Sequence, residues 1–582
     1  MRNKTAYRKK IVIYVASVVM ILILLAVRFC YIMIGQADYY TKEAQELHER
    51  ERKIKAARGR IYDRNGELLA SNKTVCTISV IHSQIKDEKA VVDQLSKMLS
   101  IPRETVEKRV RKVTSIEKIK SNVDKKTGDE IRNLNLSGVK VDEDFKRYYP
   151  YGNMASKVLG FTGGDNQGII GLEVIYDEIL QGKNGRILTM TDARGIELNG
   201  AGENRIEPIE GNDLYISIDL NIQKYAQQIA EKAMEKKQAT RVEAIVMNPQ
   251  NGEIYAMVNV PEFDCNQPYD LSPAVSENEI PFLDAKMKQD ALNQIWRNAC
   301  INDTYEPGST FKIITAAAAF ENGELRIDDT FHCPGFIAVE NRRIRCSRIQ
   351  GHGSQDFTQA TMNSCNPAFV SIGMRVGSER LYQYLKQTGV LEKTGIDLPG
   401  EANTIMHVKD DIGPVELATI SFGQSFQVTP LRLATSIGET VNGGHKIKPH
   451  LALYAKDADH RIIADFKEEK QRQMISKETS DTLTQILEQV VANGTGKNAY
   501  IEGYSIGGKT ATSQTLPRSS AKYIASFVGF SPAKDPQILA IYIIHNPSGI
   551  YYGGTIAAPL VKELFSNVLP YLDNCKKKTY TN

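Results

Sequence analysis

The chain has 582 residues, too many for one hydrophobic core, so it divides into two or three domains. Hydrophobic residues make up 42% and charged residues 24%, ordinary values for globular protein. The formal net charge of +4 is small for this size and leaves no electrostatic footprint for a nucleic-acid partner.

In chain order, the first feature is a basic tail over 1–10 that carries Arg2, Lys4, Arg8, Lys9 and Lys10. Ile11 to Val27 follows without a charge and continues past Arg28 to Ile34. With Arg28 snorkelling, the segment 11–34 is long enough to span a bilayer once. The basic cluster before it predicts a cytoplasmic N-terminus and an external body. A cleaved signal peptide is the competing reading, but no small-x-small site follows the apolar run.

The segment 35–238 is a mixed region of short elements with no catalytic signature. Tyr39 to Ala57 is polar and helix-compatible, suited to a stalk, and Val91 to Val113 has helical spacing. Asp219 to Lys236 reads as a helix that leads into a second domain over 239–575. There, Val242 to Met247 and Glu253 to Val258 form a hairpin by pattern, as do Tyr523 to Phe530 and Gln537 to Ile544. With the Lys509 strand between these hairpins, an α/β (α+β) domain with a five-stranded antiparallel sheet flanked by helices is expected. Ala558 to Leu572 should pack back on the sheet as a helix, and 576–582 is a second basic tail.

Three short motifs carry the chemistry: Ser309-Thr310-Phe311-Lys312, Ser364-Cys365-Asn366 and Lys509-Thr510-Ala511. Ser-x-x-Lys alone means little, since it also occurs at Ser83, Ser115, Ser137, Ser519 and Ser531. Ser309 differs in its setting. Glu306-Pro307-Gly308 precedes it, and an alanine-rich apolar run follows, the signature of a buried helix start. Ser309 and Lys312, three apart, share one face of the first turn. No His-Asp relay is evident nearby, so Lys312, held neutral by burial, is the base that activates the Ser309 hydroxyl. Ser364 passes protons between lysine and leaving group, and Asn366 holds the substrate backbone. Lys509 and Thr510, on an edge strand, bind a carboxylate, and the N–H groups of Ser309 and Thr512 form an oxyanion hole.

These motifs, in this order, resemble those of the class B penicillin-binding proteins. The resemblance covers nearly the whole chain. It includes Arg58 to Gly66, Gly171-Leu172-Glu173 with Tyr176-Asp177, Asp303 to Gly308, Ser421 to Gln424 and Val428 to Leu431. It implies a penicillin-binding-protein transpeptidase fold on a non-catalytic pedestal of the dimerisation type, with one transmembrane helix. It further implies a peptidoglycan D,D-transpeptidase that acts on the D-Ala-D-Ala end of stem peptides and is acylated by β-lactams. The implied partners are the cytoplasmic membrane and a multi-span membrane glycosyltransferase; no cofactor is required for catalysis. A D,D-carboxypeptidase, or a scaffold that activates the glycosyltransferase with a secondary serine site, are the alternatives. One departure stands out: Ala511 replaces the glycine usual in the third motif. The added methyl group is expected to alter the fit of bulky β-lactams while catalysis is retained.

The eight cysteines make no compact disulfide framework. Cys333 and Cys346 flank a hairpin over Phe336 to Arg345, and His352 follows six positions later. With Cys300 and His332 nearby in sequence or in the family's architecture, these residues suit a structural Zn²⁺. A Cys333–Cys346 disulfide and unbound thiols are the other readings, and Cys365, inside the second motif, is given no chemistry.

Overall fold

A computed structural model describes residues 2–40, 42, 49–114, 116–190, 203–467 and 472–579. The chain forms two compact units, interleaved in sequence. The first comprises 1–57, 74–146 and 183–209; the second comprises 58–73, 147–182 and 210–582. Three stretches before residue 238 thus belong to the second unit.

In the first unit, a helix runs over Arg2–Cys30 and continues as a π-helical turn over Tyr31–Gly35. The basic residues of 1–10 are thus the opening turns of the same helix, not a separate tail. Tyr7–Gly35 is apolar enough to cross a membrane, and its apolar side chains are exposed. A small core then forms between two antiparallel strands and their helices. Val91 to Val113 is two helices, Glu88–Leu99 and Arg103–Val110. The break falls where Ser100 adopts a left-handed φ of 53° and Pro102 follows. The helix expected over 39–57 is present at 39, 40 and 42 but does not extend over 49–54. Glu49–Ile54 is a strand paired antiparallel with Gly185–Met190, and cross-strand hydrogen bonding outweighs local helix propensity there. Positions 41 and 43–48 lie outside the described residues.

The second unit is built on a five-stranded antiparallel sheet: β1 (Arg241–Met247), β2 (Ile254–Val260), β3 (Gly507–Gln514), β4 (Tyr523–Ser531) and β5 (Ile538–His545). Its order is β2-β1-β5-β4-β3, so the Lys509 strand is an edge. Alternation along the strands buries both faces. Val242, Ala244, Phe527, Tyr542 and Ile544 pack with α1 (Leu220–Lys237) and α4 (Ala558–Thr579). Ile245, Val528, Ile541 and Ile543 share the other core with α2 (Lys312–Glu321) and α3 (Asn366–Val376). The result is a helix–sheet–helix stack, with the first and second motifs on one side of the sheet. The Asp219 side chain caps α1 by accepting from the Asn221 and Ile222 amides. α4 runs past Leu572 to Thr579; 580–582 lie outside the described residues.

Two distant segments meet in the interior of this unit. Arg58 is 1% exposed; its Nε donates to Glu173 at 2.5 Å and its Nη1 to Asp177 at 2.6 Å. The other Glu173 oxygen accepts from Arg147 Nε at 2.7 Å and from the Tyr149 hydroxyl at 3.2 Å. A buried carboxylate this well paired fixes how 58–73 docks on 147–182.

Candidate active site

The nucleophile loop turns sharply before α2. Gly308 has φ +58°, a short 3₁₀ turn carries Ser309, and α2 begins at Lys312. The Gly308 amide donates to the Gly423 carbonyl at 2.8 Å. Gly423 (φ +86°) must be glycine, because a Cβ there would run into the Gly308 carbonyl. The Ser421 to Gln424 motif is therefore a backbone seat for the turn that presents Ser309. Glu306, buried, reinforces the seat: it accepts from the Ser425 amide at 2.9 Å and pairs with both oxygens to Arg518, at 2.8 and 2.9 Å.

Ser364 stands at the centre of the site. Its backbone is left-handed (φ 53°), unusual for a residue with a Cβ and held by its surroundings. Lys312 Nζ donates to the Ser364 carbonyl at 2.8 Å and to Asn366 Oδ1 at 2.7 Å, and lies 3.3 Å from Ser364 Oγ. Lys509 Nζ donates to that same hydroxyl at 2.8 Å. Both amines are buried, at 1% and 0% exposure. Burial pushes Lys312 down to about 7. Burial, with Lys312 as a like-charged neighbour, pushes Lys509 well below the usual lysine range.

These contacts imply a proton path. The two N–H bonds of a neutral Lys312 are taken by two carbonyl oxygens, leaving its lone pair free. The Ser364 oxygen accepts from Lys509, so its own proton is free to pass toward Lys312. Ser309 lines the same groove, about 500 Å³ in volume, with Ser364, Asn366, Thr510, Ala511 and Thr512.

β3 forms the far wall. The Thr515 amide donates to the Lys522 carbonyl. Bonding alternates along an antiparallel pair, so residues 509, 511 and 513 bond to β4 and the amides of Thr510 and Thr512 point to the open edge. The Thr512 N–H therefore faces the groove, and its hydroxyl accepts from the Gly553 amide at 3.0 Å. Ala511 is 3% exposed and packs toward Gly308: a Cβ built on Gly308 would stand 3.4 Å from that of Ala511. The methyl group thus packs against the nucleophile turn, at the wall of the same groove.

The cysteine expectations resolve differently. Cys333, Cys346, His352 and Cys365 bring their ligand atoms within 4.8 Å of one another. Cys300 does not join them; its Sγ points to the carbonyls of Ala244 and Val258. Cys365, overlooked in the sequence, is the fourth member. All eight cysteines are free thiols, and Cys333 and Cys346 form no disulfide. A hydrogen bond from the Cys365 thiol holds Cys346 down at about 4, toward thiolate. Three sulfurs and an imidazole fit a tetrahedral Zn²⁺, whose ligand atoms stand about 3.8 Å apart, with small adjustments.

Sequence reasoning also missed an aromatic stack. Tyr523, Tyr551 and Tyr552 line the groove beside Gly553 and Gly554, with Tyr523 and Tyr551 stacked at 3.9 Å. The paired tyrosines ahead of a glycine pair were the available signal.

Residues 242–566, more than half of the chain, match the family model described as the penicillin binding protein transpeptidase domain. The chain belongs to the penicillin-binding protein family. Residues 53–216 match a second model, the penicillin-binding protein dimerisation domain. Among curated relatives, the stage V sporulation protein D of Bacillus subtilis is 37% identical, covering 98% of this chain and 87% of its own length. The peptidoglycan D,D-transpeptidase MrdA of Acinetobacter baumannii is 28% identical, over 97% and 88% respectively. A peptidoglycan synthetase of Bifidobacterium adolescentis has the same fold at TM-score 0.71 and 21% identity, over 90% of this chain and 97% of that one. Penicillin Binding Protein 2X of Streptococcus thermophilus also reaches 0.71 at 21% identity, over 89% and 80%.

Proposed function

We propose that the chain is a peptidoglycan D,D-transpeptidase working through a serine acyl-enzyme. The observation that carries this reading is the convergence of two buried lysines on one hydroxyl, Ser364, beside Ser309. In this reading Ser309 Oγ attacks the carbonyl of the penultimate D-Ala while its proton passes to Lys312. The oxyanion is held by the amides of Ser309 and Thr512. As the carbon–nitrogen bond breaks, the leaving D-Ala nitrogen takes a proton from Lys312 through Ser364. An amine of a neighbouring stem then attacks the ester and re-forms an amide, which releases Ser309 with its proton. A β-lactam enters the same route, and its acyl-enzyme persists.

The apolar helix and its basic opening turns support a single-pass anchor with the N-terminus in the cytoplasm and the catalytic unit outside. The parts of 35–238 that lie in the first unit serve, in this reading, as a pedestal, and a multi-span membrane glycosyltransferase is the expected partner. Cys333, Cys346, His352 and Cys365 would hold a structural Zn²⁺, which would tie the hairpin of Phe336 to Arg345 to the Ser364 turn. Metal content by mass spectrometry and melting temperature after chelation test this. One zinc per chain and a lower melting temperature without it support the site; no bound zinc refutes it.

The decisive test of the enzyme reading is the intact mass of the full chain after exposure to benzylpenicillin. One covalent adduct is expected on the parent and none on Ser309→Ala. An adduct that survives the substitution, or none on the parent, refutes the assignment.

A further inference from the structure

The hairpin of Phe336–Val339 and Arg342–Arg345 rises next to the groove. It and the turn after it carry Arg342, Arg343, Arg345 and Arg348, all exposed, against the single acid Glu340. Elsewhere nearby, exposed arginines are paired: Arg326 with Asp328, Arg375 with Asp329 and Arg380 with Glu324. Among the described residues the hairpin arginines have no such partner. Arg343 is held over the Phe336 ring at 3.6 Å. Arg342, Arg345 and Arg348 remain; the last two flank buried Cys346 and exposed Ser347, and Ser347 lines the groove.

The backbone that carries Arg345 is tied to the reacting groups. The Arg345 carbonyl accepts from Asn366 Nδ2 at 3.1 Å, and Asn366 is also bonded to Lys312. The Cys346 amide donates to Gly335 at 2.8 Å, pinning the base of the hairpin. Across the groove stands exposed Lys497, and no acidic residue lines the wall. Unpaired guanidinium groups on a pinned scaffold, beside a wall without acids, attract carboxylates, which arginine can grip with two parallel hydrogen bonds.

We propose that Arg345 and Arg348 form a subsite for carboxylates that lie upstream of the D-Ala-D-Ala end in an incoming peptide. The subsite makes the groove selective for stem peptides whose side-chain carboxyl groups are free over those whose groups are amidated. It rests on the transpeptidase reading, since it names the substrate class of that site. A penicillin, being short, reacts at Ser309 without reaching it.

The test uses the full chain in detergent and the variant R345Q/R348Q. Two peptides ending in D-Ala-D-Ala, one with free upstream carboxylates and its amidated twin, compete against a fluorescent penicillin. For the parent, the carboxylate peptide should compete at a concentration roughly tenfold lower than its twin. That preference should shrink with added salt. In the variant the two peptides should become equal while penicillin acylation is unchanged, which also reports an intact fold. A variant that keeps the preference, or a parent without one, including a parent that neither peptide protects, overturns the subsite. Failure of the enzyme reading shows separately, as a parent that penicillin does not label at Ser309.

Discussion

Lys312 is held near neutrality by burial, so a negative charge placed at its nitrogen should undo the effect. Asn366→Asp is nearly isosteric and puts a carboxylate where Oδ1 now accepts from Lys312 at 2.7 Å. With an effective dielectric of about 20, a unit charge at that distance is worth about 6 kcal/mol, or roughly four pKa units. The sign is upward, because the carboxylate favours the protonated amine. Half of that figure still moves Lys312 from about 7 to about 9. At pH 7.5 the neutral fraction then falls from about three quarters to about 3%, a loss of roughly 25-fold in base. The assay is the second-order rate of acylation by a fluorescent penicillin between pH 5.5 and 10. The parent should rise tenfold per unit below pH 7 and level off above it, while the variant's curve shifts upward by two units or more. Asn366 also donates to the Arg345 carbonyl, and loss of that contact would lower the rate at every pH. Recovery of the variant at high pH separates the two causes. A variant with the parent's midpoint, or a parent with a flat profile from pH 5.5 to 8, would refute Lys312 as the base.

Other substitutions probe the frame. Arg58→Met leaves Glu173 and Asp177 without their shared guanidinium in the interior, so a loss of about 3–5 kcal/mol is expected in denaturant unfolding; a change below 1 kcal/mol would show that the network is dispensable. Gly423→Ala drives a methyl group into the Gly308 carbonyl at a left-handed φ, and penicillin labelling should drop at least tenfold while the circular dichroism spectrum stays that of the parent. Ala511→Gly removes a methyl group that faces Gly308, so the acylation rates of small and bulky β-lactams should change by a common factor; a selective gain for bulky compounds would show that the methyl faces the ligand after all. Arg518→Ala leaves buried Glu306 without its two-point contact, and a several-fold fall in acylation rate with a lower melting temperature is expected.

Much of the second unit was legible because its signals are local. Val242 to Met247, apolar but for Glu243, and Ile538 to Ile544 are runs of strand length, and they became central strands with both faces covered. Asp219 announced a helix by its capping chemistry. Tyr39 to Ala57 misled because charged residues at Glu49 to Lys53 favour a helix locally, while the partner that makes a strand of them, Gly185–Met190, lies more than 130 residues away. The same distance effect concealed Arg58, whose carboxylate partners lie over 100 residues on. No period or spacing in a sequence reports such pairings.

Ala511 and Cys365 show where residue identity stops being informative and direction takes over. Both sit inside recognised motifs, and for both the sequence leaves open which way the side chain points. On β3 the alternation that sends Lys509 to Ser364 also sends Ala511 toward Gly308, so a residue two places on shares the lysine's face and packs against the nucleophile turn. At Cys365 the left-handed backbone of Ser364 reverses the chain just before α3. That turn leaves Ser364 and Asn366 on the groove and sends Cys365 inward to Cys333, Cys346 and His352. The proton path and the cysteine cluster therefore share one turn of backbone. A change at either should be felt at the other, through the position of the Ser364 hydroxyl between its two lysines.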